Sequence, residues 1–140
     1  MSAGGVLALD HGEKKSGFAA TDALHIAREP LGLVRHEGRE EELFAHLAKL
    51  LEERSIGTLV VGLPVNMDGS SGPAAQRIEA LCLRLRARFP TLAVEPWDER
   101  LTTKEAEARL REFGARGREI KAERDAWSAL VLLDDWLASH

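Results

Sequence analysis

The chain has 140 residues, 44% hydrophobic and 30% charged, with a formal net charge of −4 at pH 7. That length predicts one domain, residues 1–140, able to bury its own core. No bilayer span, secretory leader or disulfide framework is expected: no apolar run approaches ~20 residues, the first residues lack a basic block followed by an apolar one, and Cys82 is the only cysteine. A reducing cytoplasm is the expected compartment. The acidic balance argues against polyanion binding through global charge, yet leaves room for a local basic patch.

Residues 4–10 read as a short buried strand, Val6 to Leu9 being apolar and Asp10 closing the run. Gly17 to Thr21 form a second strand, with Gly12 to Ser16 turning between them. Residues 24–36 read as a third, interrupted by Pro30 and Gly32. From Arg39 to Arg54, Leu43, Leu47, Leu50 and Leu51 recur at helical spacing. Thr58 to Val61 is a β-branched run flanked by glycines, which suits a buried parallel strand. Leu63 to Pro73 is rich in turn residues. Pro73 to Phe89 then forms an amphipathic helix, with Pro73 in its first turn and Cys82 as filler on its apolar face. Leu92 to Trp97 is the last strand. Thr102 or Thr103 caps the next helix, with Glu105 at the capping-box offset from Thr102 and Gly114 as the stop. Residues 115–120 are basic and read as a mobile loop. The final helix, beginning near Lys121, carries Ala122, Trp127, Leu130, Leu133, Trp136 and Leu137 on a broad apolar face. Trp136 or Leu137, if exposed, offers a surface for a partner. The order β-β-β-α-β-α-β-α-α predicts an α/β fold: a mixed five-stranded sheet, three antiparallel strands then parallel ones, flanked by helices.

Chemistry is expected where three carboxylates fall at the ends or on the faces of these elements. Asp10 points from the first strand into a turn where Gly12 lets the backbone pass close to a phosphate or metal. The loop Gly62 to Gly69 follows a strand that feeds a helix, the place where ligands collect in open α/β sheets. There Asn66 can donate to a phosphate oxygen and Asp68 can accept. Asp98 and Glu99 end the last strand before a helix N-terminus. Neighbours on a strand face opposite ways, so one acid of this pair points inward and the other bonds locally. Trp97 is a stacking platform for a base or a core residue. Asp125 shares a helix face with Ala129 and Leu133. A carboxylate there is costly unless a metal or a salt bridge to Arg124 or Lys121 relieves it. Asp134 and Asp135 belong to a solvated face or a helix-end contact. Hard oxygen donors of this kind suit Mg²⁺ or Mn²⁺. The five histidines show no zinc-ligand spacing. Only His11 lies near the acids, as a proton shuttle or as a packing residue.

These residues give the chain its resemblance to the YqgF/RuvX family, whose members have an RNase H-like fold. The motifs are Asp10-x-Gly12-x-Lys14-x-x-Gly17, then Val61-Gly62-Leu63-Pro64-x-Asn66-x-Asp68-Gly69, then Asp98-Glu99-Arg100-Leu101-Thr102-Thr103, then Asp125-x-x-x-Ala129. The resemblance covers nearly the whole chain. It implies a metal-dependent nuclease processing the 5′ end of precursor 16S rRNA, with Holliday-junction resolution as the alternative. It also implies Asp10, Glu99 and Asp125 as the metal-binding, catalytic acids, with Lys14, Asn66 and Arg100 as phosphate contacts. Two positions depart from the family pattern: Ser16 is polar where a β-branched residue is usual, and Ser128 stands where alanine is common.

The expected reaction is phosphodiester hydrolysis, a hydrolase acting on ester bonds with two Mg²⁺ or Mn²⁺ ions roughly 3.5–4 Å apart. Asp10 would bridge both ions, while Glu99 and Asp125 each complete one shell. Two rivals belong to other classes. An actin-like nucleotide-binding protein closes two such domains around ATP, and this chain supplies one. A non-catalytic RNA-binding assembly factor has no use for clustered acids. The expected partner is nucleic acid, RNA ahead of DNA, with a monomer or homodimer both compatible. Grip on the substrate is expected from Lys14, Lys15, Arg100 and Lys104, and from Arg116, Arg118, Lys121 and Arg124 on or beside the loop at 115–120. Removing the charges of Arg116 and Arg118 should weaken binding and flatten its salt dependence, by ~0.7 in slope per lost single-strand phosphate contact. A filter-binding series with an unchanged slope would eliminate those arginines as contacts.

Overall fold

The structure is a computed structural model that describes residues 4–66, 68–99, 108, 111–112 and 117–140, without the side chains of 117–126. Three strands, β1 (Gly5–His11), β2 (Lys15–Thr21) and β3 (Arg28–Arg35), form an antiparallel meander. Helix α1 (Glu40–Glu53) leads to β4 (Ile56–Leu63), and helix α2 (Pro73–Arg88) leads to β5 (Ala93–Asp98). Both later strands run parallel to β1, giving one sheet in the order β3-β2-β1-β4-β5. This is the expected mixed α/β sheet of the RNase H-like architecture. The last helix, α3, runs from Gly117 to Ala138.

Alternation along β1 sorts its side chains onto two cores. Leu7 and Leu9 join Leu43 and Leu47 of α1 and Ile78, Leu81 and Leu85 of α2. Val6 and Ala8 face the other way, against Ala129, Leu132, Leu133 and Trp136 of α3. Covered on both faces, residues 6–9 are apolar without interruption, the pattern of a central parallel-type strand. Gly12 closes the turn into β2: its N–H donates to the Lys15 carbonyl at 3.0 Å, and a Cβ there would sit 2.6 Å from that oxygen. Only glycine allows so close a return.

Several expectations shift. β2 begins at Lys15 rather than Gly17, because Ser16 pairs with His11 and extends the hairpin. Residues 117–120, expected within a mobile loop, form the first turn of α3. The run Arg118 to Glu123 consists largely of good helix formers and carries the helix upstream of Lys121. Arg118 therefore lies on a helix. The capping box at Thr102 and the helix end at Gly114 fall outside the described residues. Trp136 is buried, its ring stacked on His140 with centroids 4.0 Å apart, and Leu137 is partly buried beside it, so this pair forms no exposed partner surface. Trp97 packs on the same cluster, and its Nε1–H donates to Asp135 at 2.8 Å. Asp134 accepts from Arg28 at 2.7 Å, tying α3 to β3. No described helix is long and apolar enough to cross a membrane.

Cys82 is buried in the α1–α2 core, and burial pushes its thiol above the ordinary range. Thiolate is the reactive form, so modification requires opening of the core. An aromatic disulfide reagent at mildly alkaline pH should modify the folded protein on the order of 100-fold more slowly than the guanidinium-unfolded chain. Equal rates in the two states would contradict the burial.

Candidate active site

Strand parity decides which acids meet. On β1, Asp10 continues the series Val6, Ala8 and therefore lies on the face that α3 covers. On β5, Trp97 lies on that face, and Glu99 continues it one residue past the strand. The Glu99 N–H donates to the Leu63 carbonyl at 3.1 Å, which prolongs the β4–β5 pairing and holds the residue in register. Asp98 falls on the opposite parity, so one acid of the pair turns inward, as expected.

Between β1 and β5 lies β4, and its residue on this face is Gly62. A Cβ at position 62 would collide with Oε2 of Glu99, lie 2.9 Å from its Cδ and approach Cδ2 of Leu132 at 3.3 Å. The Glu99 carboxyl thus occupies the room of a missing side chain, and from there it reaches Asp10. Burial, followed by the Asp10 charge and a hydrogen bond with Asp10, pushes the Glu99 carboxyl up to about 8. Asp98 adds a smaller repulsion in the same direction. Two carboxyls so placed hold a proton between them, or a cation.

Two hard oxygen donors in this arrangement fit Mg²⁺ or Mn²⁺ better than a softer metal. Among the described residues no three His, Cys, Asp or Glu side chains gather as a metal site. Asp125, the third acid of the expected set, sits on α3, the helix packed over this face, with its side chain outside the described residues. Of the expected substrate contacts, Lys14 is exposed in the β1–β2 turn. Asn66 is exposed in the β4–α2 loop, where its amide donates to Ser70 Oγ at 3.0 Å. Asp68 accepts from the same hydroxyl at 2.6 Å, so these residues also build the loop. Arg100 and Arg116 fall outside the described residues, as does the Arg118 side chain.

A second group of polar residues gathers around His11. Ser16 is fully buried, and its hydroxyl lies 2.8 Å from Nδ1 of His11 and 2.9 Å from Nε2 of His36. The departure from the family pattern at this position is therefore a hydrogen-bonding one. His36 is also buried, its ring stacked on that of His11 with centroids 5.2 Å apart. Burial, and then the neighbouring His36, pull the His11 imidazole down to about 4, with Glu40 opposing the shift. A cavity of about 610 Å³ opens here, lined by His11, Gly12, Pro64, Arg77, Arg84 and Glu99 among others. Arg77 lies one turn into α2 and Arg84 two turns beyond it. Their signal in the sequence was only a seven-residue spacing on an ordinary amphipathic helix.

The chain matches the family model described as "RuvX: Holliday junction resolvase" over residues 4–139. It is 49% identical over 132 residues to a protein of Anaeromyxobacter sp. (strain Fw109-5) named "Putative pre-16S rRNA nuclease", covering 94% of each chain. A protein of the same name from Halalkalibacterium halodurans is 38% identical, again over 94% of each. A third, from Chloroflexus aurantiacus, is 36% identical over 94% of this chain and 85% of its own. The chain belongs to the RuvX (YqgF) family.

Proposed function

We propose that this protein is a metal-dependent nuclease that hydrolyses phosphodiester bonds in RNA, acting in 5′-end processing of precursor 16S rRNA in the cytoplasm. One observation carries the reading: Asp10 and Glu99 converge on one face of the sheet, in space that Gly62 leaves open. A binder of polyanions gains nothing from paired carboxylates, since each repels the phosphate it must approach. The names of the bacterial relatives favour RNA as the substrate. The family model's description supplies the second reading, cleavage of branched DNA.

Asp10, Glu99 and Asp125 are the proposed holders of Mg²⁺ or Mn²⁺. Bound there, such an ion supplies a lowered water pKa and neutralises charge developing on the phosphate. The chain's own residues do the remainder. Strand β1 and the β4–β5 pairing, which the Glu99 N–H prolongs, hold the two carboxyls on a well-ordered backbone. Lys14, Asn66, Arg100, Arg116 and Arg118 are proposed to hold the phosphates on either side of the cut.

Purified protein assayed with Mn²⁺ on matched single-stranded RNA, single-stranded DNA and branched junctions separates the two readings. Asp10→Asn should lower the cleavage rate by at least ~100-fold, the loss of several kcal/mol of charge stabilisation. The same change removes one of two apposed carboxylates. It should therefore raise the melting temperature of the cation-free protein by about 3–6 °C, for roughly 1 kcal/mol of relieved repulsion. Cleavage at the wild-type rate by Asp10→Asn would end the assignment.

Gly62→Ala tests the seat of Glu99 itself. The added methyl group displaces the carboxyl by an ångström or so, which should reduce cleavage ~100-fold while leaving the circular dichroism spectrum intact. Full activity in that variant would show that Glu99 need not occupy this space.

A further inference from the structure

The cavity beside the carboxyl pair carries a recognition device of its own. It begins with the Gly38 N–H, which donates to Nδ1 of His36 at 3.1 Å. That nitrogen is therefore unprotonated, and the ring proton of His36 is on Nε2. Nε2–H donates to Ser16 Oγ at 2.9 Å. The Ser16 hydroxyl is fully buried, and among the described residues its own proton has one remaining acceptor in reach, Nδ1 of His11 at 2.8 Å. A proton left without an acceptor there would cost about 1–3 kcal/mol, so the chain of bonds runs in one direction. It ends with His11 as the Nε2–H tautomer.

The turn that starts this relay is strained. Glu37 has φ +53° and Gly38 φ +79°, and a glutamate in the left-handed region is uncommon. The Glu37 N–H donates to the Lys14 carbonyl at 2.8 Å, which ties this turn to the β1–β2 turn on the far side of His11. Strain persists where its surroundings over-determine it, and here it aims one N–H at one ring nitrogen.

Nothing among the described residues hydrogen-bonds to Nε2 of His11, the open end of the relay. His11 lines the same cavity as two arginines. Arg84 is committed, its Nε and Nη2 lying 3.0 and 2.8 Å from the Glu40 carboxylate. Arg77 has no ion-pair partner among the described residues and is exposed at the cavity rim. Ile78, Leu81 and Pro64 supply apolar wall, and the volume lies within the range of small-ligand pockets. We infer that this cavity is a nucleotide subsite, in which His11 Nε2–H and Arg77 hold a phosphate of the substrate while Pro64, Ile78 and Leu81 take its sugar or base. The assignment rests on the nuclease reading for the word substrate, but the site itself does not.

Uridine 5′-monophosphate is a suitable probe, because it presents one phosphate, one ribose and one base. Long-range ¹H–¹⁵N spectra of the free protein should show His11 and His36 each protonated on Nε2 alone. Adding the nucleotide should shift His11 Nε2 while His36 Nδ1 stays put. His11→Ala and Arg77→Gln should each weaken binding of the nucleotide about tenfold, the loss of one hydrogen bond to a charged group. In cleavage assays both should raise KM and leave kcat near the wild-type value. Ser16→Ala, which breaks the relay without touching the ligand, should let His11 populate both tautomers and weaken binding less than His11→Ala. A His11 proton on Nδ1, an unmoved His11 signal, or unchanged affinity in Arg77→Gln would each overturn the subsite. Wild-type protein that shows the shift but cuts no nucleic acid would leave the subsite standing and sink the nuclease reading instead.

Discussion

Two carboxyl groups held against each other next to a hydrophobic core are the constraint around which this molecule is organised. They are an arrangement folding alone would avoid, since burial and the Asp10 charge both disfavour the charged form of Glu99. Their closeness depends on an absence, the side chain missing at Gly62 in a buried strand. Glycine weakens a strand interior, because it loses more backbone entropy on ordering and packs nothing. A residue poor for stability thus sits where the structure needs room for Glu99. Destabilising features of this kind concentrate at functional sites, and the surrounding core compensates for them.

That compensation comes chiefly from β1. The strand is central, with Val6 to Leu9 at most 1% exposed, and it pairs on both edges. Its final residues, Asp10 and His11, inherit that rigidity while pointing to opposite faces. Asp10 goes to the α3 side, where the acids gather. His11 goes to the α2 side, where the cavity and its arginines lie. One strand end thereby places a negative group and a neutral hydrogen-bonding group a single residue apart, and Glu99 lines the cavity between the two sides. The whole assembly stands at the carboxyl ends of β1, β4 and β5, where parallel strands leave a crevice.

Much of this was legible in the sequence, for reasons that differ by element. The strands β1 and β4 announce themselves as short apolar runs bounded by glycine, because both faces are buried. Asp10 stood out because it ends such a run; alternation required one of Asp98 and Glu99 to turn inward, and the family resemblance, rather than the spacing, singled out Glu99. The start of α3 was not legible. The basic, glycine-containing stretch 115–120 reads as a loop, yet helix-forming residues follow Gly117 at once, and glycine at a helix start carries little penalty. Trp136 illustrates a different limit: position near a chain end suggests exposure, whereas stacking by His140 and contact with the sheet bury it. Hardest to foresee was the Ser16–His36 contact. It joins residues twenty apart in sequence across the β2–β3 pairing, and no spacing rule encodes it.

The contact across β2 and β3 also explains why a polar residue at position 16 is tolerated inside a core. A half-satisfied buried network is worse than an apolar packing, so a serine there stands only if every proton has a destination. From Gly38 through His36 and Ser16 each donor has its acceptor, and among the described residues the last ring nitrogen, on His11, is left without one. A network that served stability alone would close on itself or end on a backbone carbonyl. One that ends in a cavity, next to a pair of acids on the same strand end, is built to complete itself with something that enters from outside.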